Sequence, residues 1–212
     1  MTLELFARAE REELAPGACV LRGLAYAHDA ELKHALDAVA RAAPFRHMIT
    51  PGGFRMSVAM TNCGRYGWVS DEHGYRYAPL DPDSGRPWPA LPSVVAALAT
   101  KAAALAGFAA FAPDACLVNR YEPGARLTLH QDKDERDFTQ PIVSVSLGVP
   151  ATFLFGGLKR KDRVARVALE HGDVVVWGGP SRLRYHGVAP LKLAQHPFAG
   201  VARINLTLRR AS

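Results

Sequence analysis

The sequence has no long apolar run, few cysteines and no low-complexity segment, and each absence excludes a class of protein. No hydrophobic run approaches the ~18–20 residues that cross a membrane, and the charged residues 1–13 lack the apolar core of a signal peptide. The 3 cysteines are odd in number and widely spaced, which fits neither a disulfide framework nor a cysteine-based zinc motif. Neither a nucleophile elbow nor a catalytic Cys–His signature is present. We therefore expect a cytoplasmic protein without a membrane segment.

The overall composition is that of a globular protein with a basic surface. The chain has 212 residues, of which 49% are hydrophobic and 22% charged, enough for one large domain with a sizeable core. The formal net charge is +6 and the pI is about 9.5. A basic balance favours an anionic partner, with nucleic acid the first candidate, although many basic proteins bind no nucleic acid.

The N-terminal half predicts supporting helices and an irregular, aromatic-rich segment. Residues 18–24 predict a short strand, and Asp29 is placed to cap a helix through about Ala43. A second helix is predicted from Ser93 to near Gly107, with Val94, Leu98, Ala102 and Leu105 on its buried face. Between them, residues 45–92 are broken by Pro and Gly and carry seven aromatic residues, a pattern typical of a binding lid. A second small core would explain the same aromatics.

The C-terminal half predicts a β-structure. Its short apolar segments are separated by Gly, Pro and charged turns, which favours a sandwich or barrel. Eight is the strand count of a jelly roll. The predicted strands are Ala115–Tyr121, Arg126–His130, Ile142–Leu147, Thr152–Phe155, Arg166–Leu169, Asp173–Trp177, Leu183–Val188 and Ala202–Leu208.

A pair of potential metal ligands stands at the end of the second of these strands. His130 and Asp132 are two residues apart, so an extended backbone turns both side chains to one side. His186, at a later strand, would complete a two-histidine, one-carboxylate set, which binds Fe(II) and leaves coordination positions open. A chance surface pair explains an isolated His-x-Asp equally well. His171, in the turn Glu-His-Gly-Asp, is predicted to be structural.

The C-terminal strand carries an alternating row of polar residues. Arg203, Asn205, Thr207 and Arg209 share one face, and arginine forks suit carboxylates. The two arginines lie ~20 Å apart on an extended strand, too far to grip one small ligand without curvature or long reaching side chains. A strand with one wet face is the simpler explanation.

Together these motifs resemble those of the AlkB family, the Fe(II)- and 2-oxoglutarate-dependent dioxygenases that repair alkylated nucleic acid bases. Each motif alone is unspecific, but the set extends over nearly the whole chain. It comprises Thr50-Pro51-Gly52-Gly53, Met60-Thr61-Asn62-Cys63-Gly64, Asn119-Arg120-Tyr121, His130-Gln131-Asp132-Lys133-Asp134, Gly172-Asp173-Val174-Val175-Val176-Trp177-Gly178-Gly179, His186 and Arg203-x-Asn205-x-Thr207-x-Arg209.

The resemblance implies a fold and a role for each matched residue. It implies an α+β, β-rich fold: a double-stranded β-helix (jelly roll) core with N-terminal helices and a nucleotide-recognition lid. We expect a single domain over residues 1–212, with helices and lid in about 1–112 and the catalytic core in about 113–212. His130, Asp132 and His186 would bind catalytic Fe(II). The cosubstrate 2-oxoglutarate would contact Asn119, Tyr121, Arg203, Asn205 and Arg209; the substrate base would contact Trp68, Tyr75, Tyr77, Asp134 and Arg160, sandwiched between Trp68 and His130.

The activity implied is oxidative demethylation of N-alkylated bases such as 1-methyladenine and 3-methylcytosine. Formaldehyde would be released while 2-oxoglutarate and O2 become succinate and CO2. We expect a monomer that acts on single- or double-stranded DNA, with RNA a further candidate. The basic turn 159–163, with Arg182 and Arg184, would contact phosphates. The alternatives are an oxygenase of the same type acting on a protein or small molecule, a non-catalytic nucleic-acid-binding relative and, more distantly, a zinc hydrolase.

Overall fold

Two β-sheets and a small hairpin make up most of the computed structural model, which describes residues 10–212. The prediction that the N-terminus lacks a signal-peptide core falls largely on residues 1–9, outside the described residues. The helices are α1 (Asp29–Ala42) and α2 (Ser93–Leu105). The strands are β1 (Arg11–Ala15), β2 (Ala18–Leu21), β3 (Ala59–Gly64), β4 (Gly67–Asp71), β5 (Gly74–Ala78), β6 (Ala115–Tyr121), β7 (Leu127–His130), β8 (Ile142–Gly148), β9 (Ala151–Phe155), β10 (Ala165–Leu169), β11 (Val174–Trp177), β12 (His186–Val188) and β13 (Arg203–Arg209).

The two larger sheets form the predicted jelly-roll core. The major sheet has 7 strands in the order β1-β2-β11-β8-β13-β6-β3, and the minor sheet has 4 in the order β10-β9-β12-β7. An apolar cluster that includes Val20, Phe153, Val167 and Trp177 joins strands of both sheets, so these side chains fill the space between them. The fold class expected from the sequence is confirmed.

Both helices lie against the outer face of the major sheet. Leu206 and Leu208 of β13 belong to the same buried cluster as Leu32 of α1 and Leu98 of α2. Because Ile204, Leu206 and Leu208 point to the helices, the alternate residues of β13 point between the sheets. The row Arg203, Asn205, Thr207 and Arg209 is buried there, which excludes the alternative explanation of a strand with one wet face.

Two details of the helices differ from the sequence prediction. Asp29 makes no capping hydrogen bond; its carboxylate instead accepts from His171 Nε2 at 2.8 Å. In α2, Leu98 and Ala102 are buried as predicted, but the buried face also includes Val95, Ala99 and Ala103, whereas Leu105 is 48% exposed. Alanine-rich helices give a weak periodic signal because nearly every position is apolar.

The N-terminal half contributes strands as well as helices. Strand β2 pairs with β11 and strand β3 pairs with β6, so the major sheet draws on both halves of the chain. Strands β4 and β5 form a separate antiparallel hairpin, with Trp68 opposite Tyr77 and Ser70 opposite Tyr75. This aromatic hairpin lies where the sequence predicted a lid. In the described part of the chain, neither helix has the length and apolarity that crossing a membrane requires.

Candidate active site

His130, Asp132 and His186 converge between the sheets. His130 ends β7 and His186 begins β12, and the two residues are direct partners in the antiparallel ladder. Gly187 makes this approach possible, because a Cβ there would lie 2.6 Å from the Leu127 carbonyl oxygen. One ligand atom from each of the three residues lies within 4.8 Å of the others. Each Nε2 is 3.6 Å from an oxygen of Asp132, a spacing that suits two ligands of one ion.

Hydrogen bonds to the backbone set the tautomer of both histidines. The Nδ1 atom of His130 lies 2.8 Å from the Thr128 carbonyl oxygen, and that of His186 lies 3.0 Å from the Arg184 carbonyl oxygen. A carbonyl oxygen only accepts, so each Nδ1 carries the proton and each Nε2 keeps a free lone pair. Holding the far nitrogen in this way is the usual support for a metal-binding histidine.

The charge state of the three side chains suits a divalent ion. Burial, and then repulsion from His186, lowers the pKa of His130 to about 4, although 38% of its side chain still faces the pocket. Burial alone would raise the pKa of Asp132, but Arg209 and the two histidines hold it well below its ordinary value. At neutral pH the site therefore offers a neutral His130 imidazole and an ionised Asp132. With His186 they make the two-histidine, one-carboxylate donor set that favours Fe(II).

A buried ionic network fixes the carboxylate of Asp132. Arg209 donates to its Oδ2 through Nε at 2.9 Å and Nη2 at 2.7 Å. Arg182 donates to the Asp132 carbonyl oxygen at 2.8 Å and to Glu135 Oε2 at 2.9 Å. Tyr77 donates to the other oxygen of Glu135 at 2.6 Å, which connects the hairpin to the loop that follows Asp132.

This network corrects one prediction and adds one residue. Arg182 is 3% exposed and uses its nitrogens internally, so its predicted phosphate contact is wrong. Arg184 is half-buried, with Nη1 donating to the Gly156 carbonyl oxygen at 2.7 Å. The added residue is Glu135. The sequence assigns it no role, because an acidic residue in the charged turn after Asp134 is expected to be solvated.

The residues expected to contact 2-oxoglutarate lie on the adjacent strands β6 and β13. The ladder places Arg203 opposite Tyr121 and Asn205 opposite Asn119. Arg203 is 1% exposed, and its Nη2 donates to Ser146 Oγ at 3.0 Å. Within residues 10–212, its Nε and Nη1, the hydroxyl of Tyr121 and the Oδ1 of Asn119 are buried without a hydrogen-bond partner.

The donors in this set, the Arg203 nitrogens and the Tyr121 hydroxyl, fit a bound carboxylate. Burial lowers the pKa of Arg203, but an arginine remains charged at neutral pH. A buried guanidinium without a carboxylate is costly, and an anionic ligand would remove that cost. Burial also raises the pKa of Tyr121 to about 12, so its phenol remains a hydrogen-bond donor. Arg209, by contrast, already has a carboxylate partner in Asp132.

A cavity of about 850 Å³ opens from these groups towards the hairpin. Trp68, Tyr75, Asp134 and Arg160, predicted to contact the base, all line it, together with the three metal ligands. Trp68 is stacked on Tyr75 with ring centroids 5.5 Å apart, and its indole Nε1 donates to Asp134 Oδ2 at 2.8 Å. Tyr77 is the exception, because it lines a neighbouring cavity instead.

The cavity mouth also contains Phe54, an aromatic residue of the predicted lid to which the sequence assigned no contact with the base. Phe54 is 76% exposed at the rim. It follows the turn Thr50–Gly53, which is closed by the Gly53 amide donating to the Thr50 carbonyl oxygen at 2.8 Å. An exposed aromatic after a Gly-Gly turn is the only signal by which the sequence marks this position.

Comparisons with known proteins agree with this geometry. The sequence matches the 2OG-Fe(II) oxygenase superfamily over residues 17–209. It is 58% identical over 212 residues to the alpha-ketoglutarate-dependent dioxygenase AlkB of Salmonella typhimurium, covering 99% of this chain and 98% of that protein. The Escherichia coli K12 protein of the same name is 57% identical over 211 residues, with the same coverage. The chain belongs to the AlkB family.

A solved structure supports the assignment at the level of the fold. The structure of OsALKBH1 superimposes with a TM-score of 0.81 at 29% sequence identity, covering 94% of this chain and 99% of that one. The family match and the two AlkB relatives show that this protein is an enzyme. It is an Fe(II)- and 2-oxoglutarate-dependent dioxygenase with O2 as its second cosubstrate. The set His130, Asp132 and His186 is the group of side chains that could hold the iron among the described residues.

Proposed function

We propose that this enzyme oxidatively demethylates N-alkylated bases, such as 1-methyladenine and 3-methylcytosine, in DNA, with RNA a further candidate substrate. Formaldehyde leaves with each methyl group and the ordinary base is restored. The observation that carries the proposal is that one cavity combines a metal-binding set with an aromatic ring and a carboxylate at its mouth. A flat cationic ring is the ligand that such a mouth would select.

The chain's own groups would hold the iron and the cosubstrate. Fe(II) bound at His130, Asp132 and His186 supplies, with 2-oxoglutarate and O2, the oxidising chemistry. Arg203 would pair with a carboxylate of 2-oxoglutarate, while Tyr121 and Asn119 complete its hydrogen bonds. Besides contacting 2-oxoglutarate, Arg209 would keep Asp132 ionised and oriented. No side-chain nucleophile is needed.

Recognition of the damaged base would rest on charge and stacking. Methylated bases of this type are cationic at neutral pH, whereas ordinary bases are neutral. A unit charge pair at ~4 Å is worth about 4 kcal/mol at an effective dielectric of 20 before desolvation costs, so Asp134 favours the damaged base. Stacking on an aromatic ring adds about 1–3 kcal/mol, which Trp68 would supply with His130 on the opposite side of the base.

The surface beside the cavity would bind the strand. The turn 159–163 carries four exposed cationic residues, and Arg160 both lines the cavity and lies 5.8 Å above the Tyr185 ring. The target atom lies within the base stack of a duplex, so the base must be flipped out or presented on a single strand. The proposal also places the enzyme in the cytoplasm, in keeping with its 3 free and buried cysteines. It further takes the enzyme to be a monomer.

A turnover panel tests the proposal. Oligonucleotides of DNA and RNA, each with one defined lesion, are incubated with iron, 2-oxoglutarate and O2 while formaldehyde and succinate are measured. We expect equal amounts of both products from 1-methyladenine and 3-methylcytosine, and His186→Ala to abolish both while the exposed His34→Ala does not. Succinate formation without formaldehyde from any oligonucleotide would instead favour a protein or small-molecule substrate.

A further inference from the structure

A second cavity lies on the other side of the aromatic wall of the main one. It has a volume of about 270 Å³, and it shares Tyr75 and Asp134 with the larger cavity. Its other lining residues are Tyr66, Arg76, Tyr77, Arg136, Ala211 and Ser212. Typical small-molecule sites measure ~300–1,000 Å³, so this cavity is sized for one group of a larger ligand that also enters its neighbour.

The two arginines of this cavity differ in their partners. Arg76 places both terminal nitrogens on Asp71, at 2.7 Å each. Arg136 is exposed and has no carboxylate within salt-bridge distance among the residues that the structure describes. Arg136 is therefore the guanidinium free to take an external anion, and a planar fork suits a phosphate.

The aromatic side chains supply a surface for a base. Tyr66 is half-buried, and the Arg65 guanidinium lies 5.3 Å above its ring. The hydroxyl of Tyr77 is engaged by Glu135, whereas those of Tyr66 and Tyr75 make no hydrogen bond to any described residue. Rings beside a free cation are the usual elements that bind single-stranded nucleic acid.

The cavity is held open by contacts that do not need the ligand. Asp114 accepts hydrogen bonds from the amides of Ala211 at 2.6 Å and Ser212 at 3.2 Å, so these residues are fixed as one wall. Tyr66 also donates its amide to the Asp114 carbonyl oxygen, at 3.2 Å. A preformed cavity loses little ordering entropy on binding.

We propose that this second cavity is a subsite for the nucleotide next to the damaged one, with Arg136 on the intervening phosphate and Tyr66 against the neighbouring base. The inference rests on the proposed function, because it needs a damaged base in the main cavity. Tyr75 and Asp134, which the two cavities share, would separate two consecutive nucleotides of one strand. Asp134, whose Oδ2 accepts from the Trp68 indole of the main cavity, would face the cationic base.

Binding to defined strands tests the subsite without turnover. Enzyme loaded with 2-oxoglutarate and Mn(II), which replaces Fe(II), is titrated with fluorescent five-nucleotide DNA containing a central 1-methyladenine. We expect Arg136→Ala to weaken binding about tenfold, the size of one charge-assisted contact, and to reduce the salt dependence by about one phosphate contact. Arg41→Ala, which removes an exposed arginine of α1, is the control and leaves binding unchanged.

Neutral phosphate analogues identify the contact. A methylphosphonate on one side of the lesion should weaken wild-type binding about tenfold and leave Arg136→Ala unaffected at that position. An abasic neighbour should likewise remove the effect of Tyr66→Ala, while Tyr66→Phe binds normally. Two results would overturn the subsite while leaving the demethylase activity intact. In the first, the loss of affinity from a methylphosphonate adds to that from Arg136→Ala at every phosphate position. In the second, Arg136→Ala and Arg41→Ala bind the strand with equal affinity. A wild-type enzyme that neither prefers nor demethylates the methylated strand would refute the proposed function and the subsite together.

Discussion

Arg203 is a buried charge without a charged partner, and this makes its contribution to stability opposite in sign to its contribution to binding. Its Nε and Nη1 atoms have no hydrogen bond to any residue that the structure describes. Replacing even a buried ion pair by apolar groups of similar volume is often neutral or stabilising by about 1–4 kcal/mol, and Arg203 lacks the compensating carboxylate. We therefore expect Arg203→Met to unfold at an equal or higher temperature than the wild type when no ligand is present.

The same variant should lose its response to 2-oxoglutarate. A ligand that binds only the folded state raises the melting temperature, by about 2.7 kcal/mol of stability at a hundredfold excess over Kd. Differential scanning fluorimetry with and without 2-oxoglutarate measures both effects, with Arg166→Met on the exposed edge of β10 as the control. A 2-oxoglutarate-dependent shift retained in Arg203→Met would remove Arg203 from the cosubstrate site.

Asp134 has two roles that one substitution separates. It accepts the Trp68 indole hydrogen bond at 2.8 Å, and we propose that its charge also selects cationic bases. Asp134→Asn keeps an oxygen acceptor for Trp68 but removes the charge. We expect kcat/KM for 1-methyladenine, which is cationic, to fall about tenfold or more, a fraction of the ~4 kcal/mol available, with little change for a neutral N-methylated base.

A matched variant isolates the hydrogen bond. Asp134→Ala removes both the charge and the acceptor for Trp68, so it should impair both substrate classes. Equal losses for cationic and neutral lesions in Asp134→Asn would contradict charge selection and leave only the positioning of Trp68.

At the scale of the element, the hairpin of β4 and β5 is held by a partly exposed ion pair between Asp71 and Arg76 across its tip. The Arg76 hydrogen bonds, aided by the His73 backbone amide, lower the pKa of Asp71 to about 2 from an ordinary value of 3.8. A carboxyl with a lowered folded-state pKa stabilises the fold fully above its ordinary pKa, and this is lost as pH falls towards 2. We expect an NMR titration of Asp71 to give about 2, and Arg76→Ala to return the value towards 3.8.

The pair is solvent-exposed, so its contribution to global stability is small. The effect should appear instead in the hairpin itself, as faster amide exchange of β4 and β5 at pH 3 than at pH 5. An Asp71 pKa near 3.8 in the wild type would show that Arg76 is free in solution, and hence a second available cation for the neighbouring cavity.

Elements of the catalytic half could be predicted because their signals are local. All eight strands predicted after residue 113 are present, most within one or two residues of their predicted ends. The pairing of β13 with β6, which brings Arg203 opposite Tyr121, could not be predicted from spacing alone because it joins residues distant in sequence. Glu135 and Arg182 are also distant in sequence, so the sequence predicts two surface charges. The folded chain brings them together as a buried ion pair.

The whole molecule is connected through that pair. Glu135 contacts three residues: Arg182, Arg209 and Tyr77. Arg182 follows β11, Arg209 belongs to β13 and Tyr77 belongs to the hairpin. Together with the strands that β2 and β3 add to the major sheet, these contacts join the N-terminal and C-terminal halves. We propose that the chain folds as a single domain rather than as two independent parts.

Glu135→Gln tests this at the level of global unfolding. Glutamine has nearly the same shape, but it leaves the buried guanidinium of Arg182, whose side chain is 3% exposed, without a carboxylate. Breaking a buried pair typically costs about 3–5 kcal/mol, which for a protein of this size lowers Tm by about 6–20 °C. The surface variant Glu13→Gln, whose side chain is 60% exposed, should change Tm by no more than ~4 °C. In a single domain, far-UV and near-UV circular dichroism would shift together and stay superimposable. Separate transitions, with only one displaced by Glu135→Gln, would show that the two halves unfold independently.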